Sequence, residues 1–485
     1  MVRQYHNLQF FIDGAWRMPS TFQRLAVTDP STEDIFLEIA MGNKEDIDYA
    51  ISSARKAFPI FSNTSVNDRL ELIKRILVIY EQRSEDLAQA VSQEMGAPLY
   101  FSRESQVDAG RRHLETMIAV LENFQFFERR GKTMVMKEPI GVCALITPWN
   151  WPLNQIVCKV IPALAAGCSM VLKPSEFSPL SALVFAEIME EAGTPKGVFN
   201  LVNGSGSVVG QVMAQHPEVD MVSFTGSRRA GVEVARAASD TVKRVVQELG
   251  GKSSYIILPD ADFKRSVGQC IQSCFSNSGQ SCDAPTRMLV LEGHHGEAVE
   301  IAVAEASRFK VGNPYKQGTV LGPVANHMQF EKVQSFIKSG IDEGACLAIG
   351  GVGRPKGLER GYYVQPTIFG NVSCDMAIAR EEIFGPVLSI IPYKNEDHAI
   401  DIAHDSLYGL AAYVQSEDIV HARQVAKRLR AGSVYINNPD WDLYAPFGGY
   451  KQSGNGRECA DWGLESFLEI KAMIGYFNTS YEEEN

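Results

Sequence analysis

The sequence predicts an α/β fold in two successive series, each a parallel sheet covered by helices, with a small β element outside both. Three observations carry this reading. From 141 onward, short apolar runs (VCALI, SMVL, VFNLV, DMVSF, RVVQEL, SYIIL) alternate with helical stretches such as SALVFAEIMEEAG and VVGQVMAQHPE. Apolar strands spaced by helical patterns belong to sheets buried on both faces. A second alternating series begins near 254, with strands at 287–291 and 432–436 and helices at 295–309, 328–342 and 418–428. Finally, 485 residues exceed one ordinary core, and such a length corresponds to roughly three domains, or two large ones with an appendage.

Taken in order, residues from about 45 to 125 are helical. Ile47, Ala50, Ile51 and Ala54 recur at helical spacing, and the segment 67–93 continues the pattern with Leu70, Ile73, Ile76 and Leu77. The stretch 119–139 and the end LEIKAMIGYFNTS alternate weakly and lie outside both series; they are expected to be strands that pair between subunits. Within 141–172 Lys159 is the sole charge, but Pro148, Pro152, Pro162, Asn150, Asn154 and Gln155 would break or load a spanning helix. The region is therefore buried core and not a membrane segment.

Bulk properties narrow the function. With 45% hydrophobic and 21% charged residues the chain is a soluble globular protein. A net charge of −12 disfavours nucleic acid, whose phosphates need basic patches, and Arg129-Arg130-Gly131-Lys132 reads as a solvated turn. The acidic end Glu482-Glu483-Glu484 is a solubilising tail. The N-terminus lacks the apolar core and cleavage site of a secretory signal. Nine cysteines without CxxC pairs argue for free thiols, a reducing compartment and hence the cytoplasm, and no cluster suggests a metal. Most of these cysteines sit in apolar runs, where a small hydrophobe is their usual role.

Several short motifs could carry chemistry. TPWNWP (147–152) holds Asn150 between two prolines and two tryptophans at a strand-to-helix turn, where a fixed amide is either an oxyanion donor or a helix cap. VLKPSE (171–176) brings Lys173 and Glu176 out at the carboxyl end of a strand, as ligand contacts or as surface decoration. GSGSVVG (204–210) has one residue too many for the dinucleotide fingerprint. FTGSRRAG (224–231) sets Gly226 and Ser227 at a helix start, fit for a pyrophosphate or for an ordinary N-cap. QELGGKSS (247–254) ends a strand at Glu248 before two glycines, a general base or a surface carboxylate. NSGQSC (277–282) follows a helix, with Gly279 allowing the chain to turn Cys282 toward a cleft. Such a thiol is mostly protonated near neutrality unless a backbone donor or a cation assists it.

In this order and at these separations PWNWP, KPSE, FTGS, ELGGKS, NSGQSC, EEIFGPV (381–387) and PFGGYKQSGNGRE (446–458) closely resemble the aldehyde dehydrogenase superfamily, along almost the whole chain. The resemblance implies the non-acylating, NAD(P)-dependent type. Its fold would be a Rossmann-like cofactor domain (1–118 and 140–249), an α/β catalytic domain (250–467) and a small β oligomerisation element (119–139 and 468–485). It also explains the failed glycine fingerprint, which this family does not use.

Position by position, the resemblance makes Cys282 the nucleophile, Glu248 the general base and Asn150 the oxyanion donor together with the Cys282 N–H. Lys173 and Glu176 would hold the adenine ribose, Gly226 and Ser227 the pyrophosphate, Glu382 and Phe384 the nicotinamide ribose, with Ile146 and Trp149 along the cofactor channel. Glu176 favours NAD, with NADP as an alternative acceptor. The presence of Glu248 favours hydrolysis of a thioester over transfer to coenzyme A; a coenzyme A-acylating semialdehyde dehydrogenase and a non-catalytic relative are the alternatives. Trp151, Gln155, Cys158, Trp441, Tyr444 and Phe447 would line the substrate tunnel, whose aromatic walls suit apolar aliphatic or aromatic aldehydes. A homodimer or homotetramer is expected. Two departures stand out: Asp283 beside the nucleophile, expected to point away or meet a cation, and Cys459-Ala460 in place of Leu-Gly, expected to be neutral repacking.

Overall fold

The computed structural model describes residues 6–477, so the acidic tail lies outside the described residues. An eight-stranded sheet and a seven-stranded sheet form its two halves, joined by a three-stranded sheet and a two-stranded hairpin. Across the larger sheet the strands run Gly454–Asn455, Arg244–Glu248, Met221–Thr225, Val142–Ile146, Ser169–Lys173, Phe199–Leu201, Phe10–Ile12 and Ala15–Arg17. The five from Arg244–Glu248 to Phe199–Leu201 are parallel. Their residues are almost all buried, as continuous apolar runs require.

From Val142–Ile146 the chain builds first to one side, through Ser169–Lys173, and later to the other, through Met221–Thr225. That reversal is a topological switch point, and the crevice beyond the carboxyl ends of these strands is where open α/β sheets bind ligands. Ile146, Trp149 and Asn150 follow directly from that strand end.

The second sheet runs Cys346–Ile349, Thr367–Gly370, Val387–Tyr393, Arg287–Leu291, Ser254–Ile257, Ala411–Gln415 and Ser433–Ile436, parallel except for its first strand. The predicted helices of this half appear as His295–Ala306, His327–Asp342 and Ile419–Arg428. Leu468–Met473, Thr133–Pro139 and Phe127–Arg130 make the antiparallel third sheet. Phe127 and Ile470, on its two edge strands, are exposed.

Four features differ from the sequence reading. The span 67–93 is two helices, Val66–Gln82 and Ser84–Met95, broken at Arg83. The stretch 119–139 begins as the end of helix Asp108–Leu121 before its strands start. Phe10–Ile12 and Ala15–Arg17 extend the first sheet antiparallel, an N-terminal contribution that three-residue runs do not announce. Gly454–Asn455, far along the chain, also joins this sheet beside Glu248. Ile47, Ala50, Ile51 and Ala54 do form the buried stripe of Lys44–Phe61, a helix capped by Asn43 and Asp46. Among the described residues, no helix is long and apolar enough to cross a membrane.

Candidate active site

Cys282 reaches its place through an unusual backbone. After helix Phe263–Phe275 the chain passes through Asn277, Ser278 and Gly279 with φ of 54°, 55° and 74°. Three successive left-handed residues are costly unless their surroundings hold them. Only glycine suits position 279, because a Cβ there would lie 2.1 Å from the Gly385 carbonyl oxygen.

The hold comes from hydrogen bonds that cross between the two halves. Asn277 Nδ2 donates to the Asn150 carbonyl at 2.8 Å, and Asn150 Nδ2 donates to the Gln280 carbonyl at 3.0 Å. Gln106 Nε2 donates to the same Asn150 carbonyl at 3.2 Å. Gln280 donates to the Asn277 carbonyl and accepts from the Ala325 N–H, and Ser278 donates to the Gly322 carbonyl. Trp151 Nε1 donates to Ser281 Oγ at 2.8 Å. Asn150 is therefore locked beside the Cys282 loop with one amide N–H committed and the second left over. It is not the helix cap: Trp151 occupies that position, with Pro152 as the first helical residue.

Cys282 is the half-buried member of three cysteines lining a cavity of about 450 Å³; Cys158 and Cys459 are buried. Trp151, Gln155, Trp441 and Phe447 line it as predicted, while Tyr444 is 58% exposed and outside the lining. Asp283 lines the same cavity, its backbone carbonyl accepting from Tyr413 Oη at 3.2 Å. The expectation that it turns away or meets a cation is thus corrected: none pairs with it among the described residues, and burial raises its carboxyl. Burial first, then the carboxylates of Asp283, Glu382, Glu248 and Glu458, push the Cys282 thiol well above its usual range. Among the described residues no cation pairs with Cys282 to offset them.

Glu248 ends its strand almost fully buried, not on the surface, with neither oxygen hydrogen-bonded. Burial and then Glu458 raise its carboxyl strongly, with Lys159 and Arg457 opposing. The two following glycines serve close approach: a Cβ on Gly250 would fall 2.3 Å from Glu382 Oε1, and one on Gly251 2.5 Å from the Cys282 carbonyl oxygen. They let three motifs distant in sequence meet at one point.

Sequence reasoning missed the charge behind this point. Lys159, wholly buried, pairs with Glu458, and although burial opposes its charge, that carboxylate raises its pKa overall. Cys158 Sγ lies 3.5 Å from Glu458 Oε2. The signal was available, since a sole lysine in an apolar run must find a partner. Cys459 and Ala460, expected to be neutral repacking, have left-handed φ of 74° and 45°, and Cys459 lines the cavity.

The predicted cofactor residues fall in two groups along the switch-point crevice. Lys173 Nζ donates to Glu176 Oε2 at 2.9 Å at the end of its strand. Ser227 caps helix Arg228–Ala238 through the Ala230 N–H, and the Gly226 N–H bonds the Glu248 carbonyl. Ile146 lines a cavity of about 600 Å³ with Gly206 and Gly210 of GSGSVVG, Phe224 of FTGSRRAG, and Val234, which lies outside the quoted motifs. At the other end Trp149 and Phe384 meet edge to face at 5.4 Å, and Glu382 accepts from the Gly251 N–H at 3.1 Å. Thr147, Asn203 and Thr225, near adjacent strand ends, carry buried polar atoms without partners, an edge left short of hydrogen bonds.

Comparison with known proteins agrees with this geometry. The profile of the "Aldehyde dehydrogenase family" matches residues 16–473. A 3-succinoylsemialdehyde-pyridine dehydrogenase from a Pseudomonas species is 52% identical over 98% of this chain and 99% of its own length. Aldehyde dehydrogenase C of Pseudomonas syringae, solved as a cysteine-to-alanine mutant with NAD+ and octanal, superposes with a TM-score of 0.98 at 51% identity, covering 99% of both chains. A betaine aldehyde dehydrogenase of Staphylococcus aureus in complex with NAD+ gives 0.94 at 36% identity, covering 99% of this chain and 97% of that one. The half-buried cysteine, the locked amide and the buried glutamate thus stand in a chain that belongs to the aldehyde dehydrogenase family.

Proposed function

We propose that the protein oxidises medium or long aliphatic aldehydes, or aromatic ones, to carboxylic acids with NAD as acceptor. The observation that carries this is the half-buried Cys282 at a cavity of about 450 Å³, tied by hydrogen bonds to the Asn150 turn. The crevice fits the cofactor: a partly apolar cavity for a base, Lys173 and Glu176 at a strand end for ribose hydroxyls, and aromatic Trp149 and Phe384 at the far end. Its edge residues are short of partners. The Glu176 carboxylate would repel a 2′-phosphate, which favours NAD over NADP.

In this reading Cys282 Sγ attacks the aldehyde carbon and its proton passes to Glu248, near enough to raise the thiol electrostatically. The spare Asn150 N–H and the Cys282 backbone N–H bear the oxyanion of the thiohemiacetal. Bound nicotinamide supplies the acceptor for the hydrogen that departs with its electron pair. The adduct then becomes a thioester on Cys282. Glu248 gives up that first proton to solvent; water then loses a proton to the Glu248 carboxylate as it adds to the thioester, the C–S bond breaks, the acid leaves, and the proton held by Glu248 passes to the departing sulfur to restore the thiol. Assembly as a homodimer or homotetramer through the three-stranded sheet, and residence in the cytoplasm, belong to the same proposal.

NADH formation from octanal tests it. The wild type should turn over without coenzyme A and Cys282→Ala should not. Strict dependence on coenzyme A would instead establish acyl transfer, and undiminished activity of Cys282→Ala would remove the nucleophile from the scheme.

A further inference from the structure

The two helices that wall the substrate cavity carry an amide whose hydrogen bonds are half used. Asn154, on helix Pro152–Ala166, is neither buried nor apolar, and lines the cavity together with His113 of helix Asp108–Leu121. His113 Nε2 lies 2.8 Å from Asn154 Oδ1. Burial depresses the His113 imidazolium to about 4, so near neutrality the ring is uncharged. The nitrogen facing the amide oxygen then holds the single N–H and donates it. That interaction consumes Oδ1 and fixes which way the amide faces. Among the described residues nothing accepts from Asn154 Nδ2. The adjoining Gln155 leaves Oε1 buried without a partner.

The charges around the cavity decide what kind of acceptor fits. Glu104, Asp108, Asp283 and Glu458 contribute carboxyl groups, Asp108 paired from behind by Arg111 and Glu458 by Lys159, against a single lining guanidinium from Arg112. Arg112 Nη2 is already committed to the Trp441 carbonyl at 2.7 Å, and its guanidinium lies 5.1 Å from the centroid of the Trp441 ring. An anionic tail would meet like charge. A cationic tail would compete with Arg112 for the Trp441 face, which that guanidinium already covers.

We infer that Asn154, oriented by His113, selects aldehydes whose tail carries a neutral hydrogen-bond acceptor, such as a ketone oxygen or a ring nitrogen, over plain alkyl or aryl aldehydes of the same size. This rests on the proposed oxidation at Cys282 and narrows its substrate class. The donor costs little when an acceptor arrives and loses its solvation when a hydrocarbon does.

The test compares kcat/KM for 4-oxononanal and 6-oxononanal with that for nonanal, and for pyridine-3-carbaldehyde with that for benzaldehyde. These are measured in the wild type and in Asn154→Leu and Asn154→Asp. Taking each ratio relative to the wild-type ratio cancels the intrinsic reactivity of the carbonyl. Asn154→Asp keeps the size of the side chain and an acceptor for His113 while removing the donor, so it remains informative if Asn154→Leu fails to fold. The expected result is a ratio about five- to tenfold lower in either variant. Unchanged ratios, or a wild-type preference for aldehydes with carboxylate or trimethylammonium tails over the keto aldehydes, would overturn the inference. Absence of NADH from every aldehyde, nonanal included, would overturn the proposed oxidation and not this selection.

Discussion

The loop that carries Cys282 and the strand end that carries Glu248 lie side by side and are built in opposite ways. In the loop, three consecutive left-handed residues are held by a closed set of hydrogen bonds from Asn150, Gln106, Asn277 and Gln280. At the strand end both carboxylate oxygens of Glu248 are buried without any partner. The first arrangement stores backbone strain and offsets it with polar contacts. The second leaves a destabilising group in place, and an unpaired buried carboxyl is the kind that accepts a proton readily. In the proposed reaction the nucleophile needs position and the base needs affinity for protons, which satisfying its oxygens would lower.

The largest effect should come from Glu248→Gln. Turnover is expected to fall about 100- to 10,000-fold, with acyl-enzyme accumulating in a rapid-quench experiment, while the thermal midpoint stays level or rises. A lowered midpoint would mean that Glu248 is a structural partner after all, and the contrast between the two regions would dissolve. Next, Lys159→Met should destabilise the fold by about 3–5 kcal/mol, because it strands Glu458 as an unpaired buried charge. Chemical denaturation of the single variant and of Lys159→Met with Glu458→Leu checks this: the double variant should recover most of the loss.

Asn277→Ala should cost about 1–3 kcal/mol by removing the shorter of the two hydrogen bonds to the Asn150 carbonyl and releasing the loop. It should lower activity more than it lowers NAD affinity, measured by fluorescence quenching. Equal losses would place the loop's role elsewhere.

The gentlest test is pH. The Glu248 carboxyl is raised above its ordinary 4.5 in the folded chain, so from that value upward the unfolded chain ionises while the folded one stays protonated. Stability should therefore decline as pH climbs through this window, while kcat/KM rises as base and thiol become available. In Glu248→Gln the decline in stability should be shallower; an identical slope would assign it to other groups.

Much of this was legible in the chain. Continuous apolar runs such as VCALI and SMVL became central parallel strands because burial on both faces leaves no room for alternation. NSGQSC placed Cys282 after a helix, and Gly279 turned the chain as its lack of a side chain allows. Less visible were interactions between segments far apart. The strand Gly454–Asn455 is two residues long and exists only by pairing with Gln247 and Glu248. The Lys159–Glu458 pair spans 299 residues, so no local spacing could announce it. Asp283 was expected to avoid the cavity because a carboxylate beside a thiol is unfavourable in isolation, yet the loop's fixed backbone presents it there.

By itself, the sequence determined the alternation of strands and helices, which follows from periodicity, and, through the resemblance of its ordered motifs, the family and the candidate reactive residues. Only the tertiary structure decided how those residues are charged and what surrounds them. Whether Glu248 is paired, whether Cys282 meets a cation and which way Asn154 faces depend on burial and on neighbours from other elements. Electrostatic free energies are set by surroundings assembled from the whole chain, and no stretch of sequence contains them.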